Sequence, residues 1–224
     1  MNNFNKPLLL ASSSPRRQYL MKEIGFQFTT ESPDIDESFS PEMDVHLVPK
    51  FLAEKKAQVF AHKINSEIVV TSDTVVILNN KILNKPMDRF DAISMLTELS
   101  EKTHLVITAV CLYNKAKMEV FDDRTEVTFK KITHKEIEFY IDTCKPFAKA
   151  GSYGAQDCLP VGMNPCSHEE IEFLKSINKS DIIENSLSRS KEGLSFEIIE
   201  KIKGSYFTVM GLPIHKVYSH LMNF

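Results

Sequence analysis

Tryptophan is absent from the 224-residue chain, and glycine is scarce, with six of the seven lying from Gly151 onward. The first two thirds must therefore be built from regular elements and polar turns rather than from glycine-rich loops. Neither a Walker phosphate loop nor a dinucleotide fingerprint occurs, and GxSxG and HExxH are missing too, which excludes hydrolases of those kinds. The four cysteines (Cys111, Cys144, Cys158, Cys166) show no CxxC spacing and read as free thiols in a reducing, cytoplasmic compartment. Cys158, Cys166 and His168 would make a poor zinc set, since no fourth ligand is evident. The longest early apolar run, Leu8–Ala11, is too short for the apolar region of a signal peptide, and nothing approaches the roughly 20 apolar residues of a membrane helix. Charge of one sign is not in excess either. The balance of 27 basic against 30 acidic residues gives −3, so no general basic field draws the chain to nucleic acid or an anionic membrane.

What is present is an ordinary globular composition, 42% apolar, enough to bury a core without disulfides or a structural metal. No internal repeat or low-complexity stretch appears. Leu8–Leu10 reads as a short buried strand that runs through Ser12-Ser13-Ser14 into a helix. Pro15 stands at the first helical position after an N-capping Ser14. A polar loop follows from Glu31 to Asp44. Phe51–His62 is predicted helical, with Pro49 near its start or kinking it. Ile68–Leu78 is the strongest strand, and Asn79-Asn80 turns it into Lys81–Leu83. Asp88 caps a helix to about Leu99. His104–Tyr113 and Met118–Lys131 form an antiparallel pair, and Thr133 with Glu136 makes a capping box for a helix to about Thr143. Ser167 and Glu170 make another before Ile171 and Leu174, and a second helical piece is predicted near Ser180. A strand is predicted over Leu194–Lys203. Gly204-Ser205 turns into Tyr206–Met210, and a terminal helix starts at Pro213. Helices alternate with strands joined by short turns, so the class is α/β with a mixed sheet.

Ser14-Pro15-Arg16-Arg17 places serine hydroxyls, free amides and two guanidinium forks at a helix start. Two arginines there oppose the helix dipole unless an anion sits in front of them, an arrangement suited to phosphate; a solvated surface pair is the plain alternative. Asp73 lies in a strand of β-branched residues, where burial without a partner is costly. It could bind a cation, act as a base, pair with a lysine or arginine, or face solvent. Asp34, Asp36 and Glu37 form an acidic loop that matters only if Asp73 needs company to hold a hard cation. Lys55-Lys56 and Lys85 gain meaning only beside a phosphate. Gly151–Asp157 is either a plain turn or a loop that brings Gln156 and backbone groups against a planar base. His215 and His220, five apart, share no helix face.

Taken in order, Leu10–Arg17, Asp34–Glu37, Ala53–Ala57, Thr71–Thr74, Lys85–Asp88, Lys149–Gln156, Gly204–Tyr206 and Gly211–Pro213 resemble the Maf family of nucleoside triphosphate pyrophosphatases. The resemblance implies a single domain over 1–224: a twisted mixed sheet flanked by helices, of the Maf/ITPase-like kind, with a deep nucleotide cleft, and a homodimer. It implies hydrolysis of a triphosphate to the monophosphate and pyrophosphate with Mg²⁺ or Mn²⁺. Arg16-Arg17, Asp73-Thr74 and Gln156 match the branch acting on dTTP and UTP. By the same resemblance Asp73 is the proton acceptor; Glu37 and Asp73 are the catalytic pair and could hold the metal, with the division of base and ligand roles between them left open. Ser14, Arg16, Arg17, Lys56 and Lys85 bind the substrate, and Arg16, Thr74 and Gln156 select the base. A modified pyrimidine nucleotide as substrate, or a nucleotide-binding regulator of septum formation with little catalysis, are the alternatives. One departure is an extra segment of about 158–193, expected by default to be a surface excursion.

Overall fold

A computed structural model describes residues 4–183 and 196–224. Its order is β1 (Leu8–Leu10), α1 (Pro15–Glu23), β2 (Thr29–Thr30), α2 (Val48–Gln58), β3 (Ile68–Leu78), β4 (Lys81–Leu83), α3 (Arg89–Leu99) and β5 (Thr103–Tyr113). There follow β6 (Met118–Phe129), α4 (His134–Cys144), α5 (Ala155–Cys158), α6 (His168–Ser176), β7 (Ile199–Lys203), α7 (Tyr206–Met210) and α8 (Ile214–Asn223). The sheet runs β2-β1-β3-β5-β6-β7, with β4 paired to β3. β1 pairs parallel with β2 and β3; the remaining pairs are antiparallel, so the sheet is mixed, as the short turns require.

Both faces of β3 are covered, which is why its sequence is almost continuously apolar. One face takes α2: Val48 and Leu52 meet Val75, Ile77 and Ile107, while Ala53 and Ala57 lie on Ala109 and Cys111. The small alanines let the helix approach closely, and Thr71 Oγ1 donates to the Ala53 carbonyl at 2.6 Å. The other face carries the larger core, drawn from α1, α3, α4 and α8 around Val70, Val76 and Val110. Because side chains alternate along a strand, Asp73 points towards α2 while Ser72 and Thr74 point the other way.

Pro49 sits in the first turn of α2, which starts at Val48 and ends at Gln58, so it opens the helix rather than kinking it. β6 stops at Phe129, two residues short of expectation. β7 starts only at Ile199, while residues 194 and 195 of the expected strand lie outside the described residues. The capping boxes at Thr133–Glu136 and Ser167–Glu170 both form. Of the helical piece expected near Ser180, residues 181–183 are helical, and residues 184–195 lie outside the described residues.

The segment after Gln156 departs from the expected surface excursion. Leu174 and Glu170 of α6 are completely buried, and Phe173 packs on Tyr218 of α8 at 5.4 Å between ring centroids. Its described part is a wall of the main core.

Candidate active site

A cleft of about 550 Å³ opens where β1 runs into α1, and Ser14, Arg16, Arg17, Glu37, Lys56, Asp73, Thr74, Lys85 and Gln156 all line it. Asp34 and Asp36 do not; Asp36 instead binds the Ser38 amide and hydroxyl within its own loop.

At one end the charges are already paired. Lys56 and Asp73 are 7% and 8% exposed, and Lys56 Nζ lies 2.6 Å from Asp73 Oδ1 and 2.8 Å from Glu37 Oε1. α2 presents this lysine to β3 because the alanines around it pack flush with the sheet. Lys85 Nζ reaches Glu37 Oε2 at 4.0 Å from the solvent side. Partial burial works to raise the Glu37 pKa. The hydrogen bond and charge of Lys56, aided by Lys85 and Arg17, outweigh it and hold the group below its usual value.

Arg17 is fixed in the middle. Its Nε donates to the Gly211 carbonyl at 2.8 Å, Nη1 to the Ser72 carbonyl at 2.8 Å, and Nη2 to Thr74 Oγ1 at 3.0 Å. Gly211 closes α7 at φ 102°, a conformation that suits glycine and turns the carbonyl inward. The two adjacent arginines thus differ in how many donors they leave for a phosphate. Of five guanidinium N–H groups, Arg17 commits at least three to the protein. Burial lowers its pKa and the charge of Asp73 raises it, with a net decrease. The guanidinium still remains protonated at physiological pH.

Thr74 is likewise engaged with the protein. Thr108 Oγ1 spends its proton on the Thr208 carbonyl at 2.7 Å, so in the 2.9 Å contact between the two threonines Thr74 must donate. With its proton used there, Thr74 can only accept from a ligand.

At the far end Arg16 and Gln156 Oε1 stand without partners among the described residues. The Arg16 guanidinium makes no hydrogen bond or ion pair with any of them, although the residue is half-buried. That burial lowers its pKa against the opposing field of Asp157. Gln156 Oε1 is buried without a partner. Ser14 has the extended backbone of an N-cap, but its hydroxyl makes no capping bond. It is left available, as are the first-turn amides that no helix can satisfy internally.

Two features of this end lay outside the sequence reading. Lys149 Nζ pairs with Asp157 Oδ2 at 2.7 Å, beneath Gln156. A Cβ on Gly154 would stand 2.6 Å from that oxygen and 2.8 Å from Lys149 Nζ, so glycine there makes room for the ion pair. The spacing of Lys149, Gly154 and Asp157 was the available signal. The second is the wall formed by Val209, Met210 and Gly211. Its only trace in sequence is a glycine after an apolar run.

The described residues hold no cluster of three or more His, Cys, Asp or Glu side chains suited to a metal, and none of their helices is long and apolar enough to cross a membrane. The family model for Maf-like proteins matches residues 7–169. A dTTP/UTP pyrophosphatase of Flavobacterium psychrophilum is 38% identical, covering 98% of this chain and 95% of that protein. Proteins of the same name from Bacteroides fragilis and Halalkalibacterium halodurans are 37% and 34% identical, covering 96% and 94% of this chain and 94% and 92% of theirs. The solved Staphylococcus aureus Ham1 protein aligns with a TM-score of 0.42 at 14% identity, over 55% of this chain and 72% of that one. With the matched segment spanning the cleft from β1 to α6, the chain belongs to the Maf-like family.

Proposed function

We propose that this chain is a nucleoside triphosphate pyrophosphatase that hydrolyses dTTP and UTP between the α and β phosphates. Relatives bearing that activity in their names support the reading. The observation that carries it is the division of the cleft into an end where Lys56 and Lys85 meet Asp73 and Glu37 and an end with an unpaired donor and acceptor. The triphosphate brings about four negative charges. Lys56 and Lys85, with Ser14 and the first-turn amides of α1, lie where those charges need neutralising. In the reaction a water oxygen attacks the α phosphorus, the bond to the bridging oxygen breaks, and pyrophosphate leaves with that electron pair. The proton released by water goes to Asp73. Lys56 occupies Oδ1 of that carboxylate, which leaves Oδ2 to take it.

The donor set also fits a divalent cation, Mg²⁺ or Mn²⁺. Glu37 and Asp73 bring hard carboxylate oxygens to one point, and such ions are commonly held by one or two carboxylates together with substrate phosphates. Bound there, the ion would supply further charge neutralisation for the leaving pyrophosphate.

The base would be read by Arg16, which donates, and by Gln156 Oε1 and the remaining lone pair of Thr74, which accept. A pyrimidine 2,4-dione offers the complementary pair of carbonyls and one N–H. We take 1–224 to be one domain, with the described part of the 158–193 segment packed against the core behind the cleft. The family resemblance and the free thiols support a cytoplasmic homodimer. The test is pyrophosphate release against a panel of nucleoside triphosphates with Mg²⁺ or Mn²⁺. Release from dTTP and UTP but not from purine nucleotides is expected. Release of orthophosphate, or nucleotide binding without turnover, overturns the reading.

A further inference from the structure

Glu170 lies in α6, away from every group placed in the reaction, yet its side chain is completely buried and fully engaged. Oε2 accepts from the Ser167 amide at 2.9 Å and the Tyr206 amide at 3.0 Å. Oε1 accepts from the Ser205 hydroxyl at 2.5 Å and the Phe207 amide at 3.0 Å. One carboxylate therefore closes the capping box of α6 and also takes up two amides at the start of α7. Ser205 adds to the same knot, because its hydroxyl oxygen also accepts from the Thr208 amide at 3.0 Å.

α7 is a five-residue element whose beginning is held by Glu170 and whose end is Gly211. Between them, the Thr208 carbonyl receives Thr108, Val209 and Met210 form cleft wall, and the Gly211 carbonyl receives both Arg17 Nε and, at 3.2 Å, Ser72 Oγ. So short an element has few bonds of its own, and its placement depends on what grips its two ends. At the far end the grip is Arg17; at the near end it is Glu170.

We propose that Glu170 is a positioning residue for the nucleotide cleft. It sets the place of α7, and through Gly211 the orientation of Arg17 and the wall facing the substrate. The α6 segment thus works as a buttress, and Glu170 is the point where its rigidity passes to the site. Asp73, Lys56 and Glu37 stand on other elements and do not depend on this contact. Losing it should weaken substrate binding more than it slows the chemical step.

The inference rests on the pyrophosphatase reading. Its test therefore begins with wild-type turnover of UTP, whose failure would count against that reading alone. Affinity for a non-hydrolysable UTP analogue, measured by calorimetry, then tests Glu170 independently of turnover. Glu170→Gln keeps the shape but turns an NH₂ group towards amides that need an acceptor on both sides. KM for UTP is expected to rise about tenfold and the analogue affinity to fall alike, with kcat within about threefold. Ser205→Ala removes one of the four bonds, serves if the glutamine variant does not fold, and should show a smaller change of the same kind. Ser167→Ala is the control, since it weakens the start of α6 but leaves Glu170 bonded to α7, so its KM should stay normal. Coupling to Arg17→Lys should be non-additive. Unchanged KM and affinity in both Glu170→Gln and Ser205→Ala would overturn the proposal. So would a KM increase in Ser167→Ala equal to theirs at matched loss of melting temperature.

Discussion

The two ends of the cleft are built on opposite plans. Around Lys56 the charged groups satisfy one another before any substrate arrives; around Arg16 and Gln156 polar groups are withdrawn from solvent and left without partners. A prepaired cluster lets acid and base groups be buried at tolerable cost in the empty protein. An unpaired end makes the empty protein less stable, but it gives selectivity, because a base of the wrong pattern leaves those groups unsatisfied.

The sharpest way to break this contrast is at the paired end. Asp73→Asn should lower pyrophosphate release by about 10²- to 10⁴-fold while nucleotide affinity, measured by calorimetry, survives. Equal turnover by the variant would end the proton-acceptor role. Lys56→Met leaves Asp73 buried without its cation and should cost about 3–5 kcal/mol of stability, read from chemical denaturation. The adjacent arginines should then separate cleanly. Arg17→Ala removes donors from the carbonyls of Ser72 and Gly211 and from Thr74, and should lower stability by about 2 kcal/mol. Arg16→Ala should leave the melting temperature unchanged and weaken UTP binding by about 10- to 100-fold. If both variants behaved alike, the distinction drawn from their hydrogen bonds would be wrong. Gln156→Leu should reduce the preference for UTP over CTP by about tenfold in kcat/KM competition.

Acid should also distinguish the two ends. His104 donates or accepts through Nε2 to Tyr153, a residue of the cleft, and burial pushes its pKa down to about 3. An unfolded histidine titrates near 6.5, so between those values the unfolded chain binds a proton that the folded one refuses. Stability should therefore fall by about 1.4 kcal/mol per unit as pH drops from roughly 6.5 towards 3. His104→Asn should flatten that limb. Glu37, held below its usual value, contributes stability above about pH 4.3 that is lost only as pH falls through its lower folded value. The Tyr153 side is thus expected to loosen at milder acidity than the Lys56 side.

Much of this architecture could be read from residue order. The Asp88 cap, both capping boxes, the long β3 and the antiparallel β5–β6 pair have local causes, and local chemistry is what a sequence displays. The nine candidate site residues, several of them named only through the family resemblance, all line one cleft. Their division of labour was not legible. Arg16 and Arg17 look alike in the chain, and only the third dimension shows one tied and the other unbound. Thr74 loses its proton to a partner 34 residues away, and Glu170 has a second use that depends on a turn 35 residues further on. A capping box advertises its own helix and says nothing about a neighbour's.

The bond from Arg17 to Gly211 joins positions 194 residues apart. Nearly the whole chain must be in hand before the α1 segment can take its working form. During synthesis β1 to β6 and the Lys56–Asp73 pair can assemble while the last quarter is still to come, but the guanidinium must wait. Contacts this distant are slow to close. Competence for the nucleotide should thus appear late in refolding, after secondary structure and core burial are complete, as a separate final event.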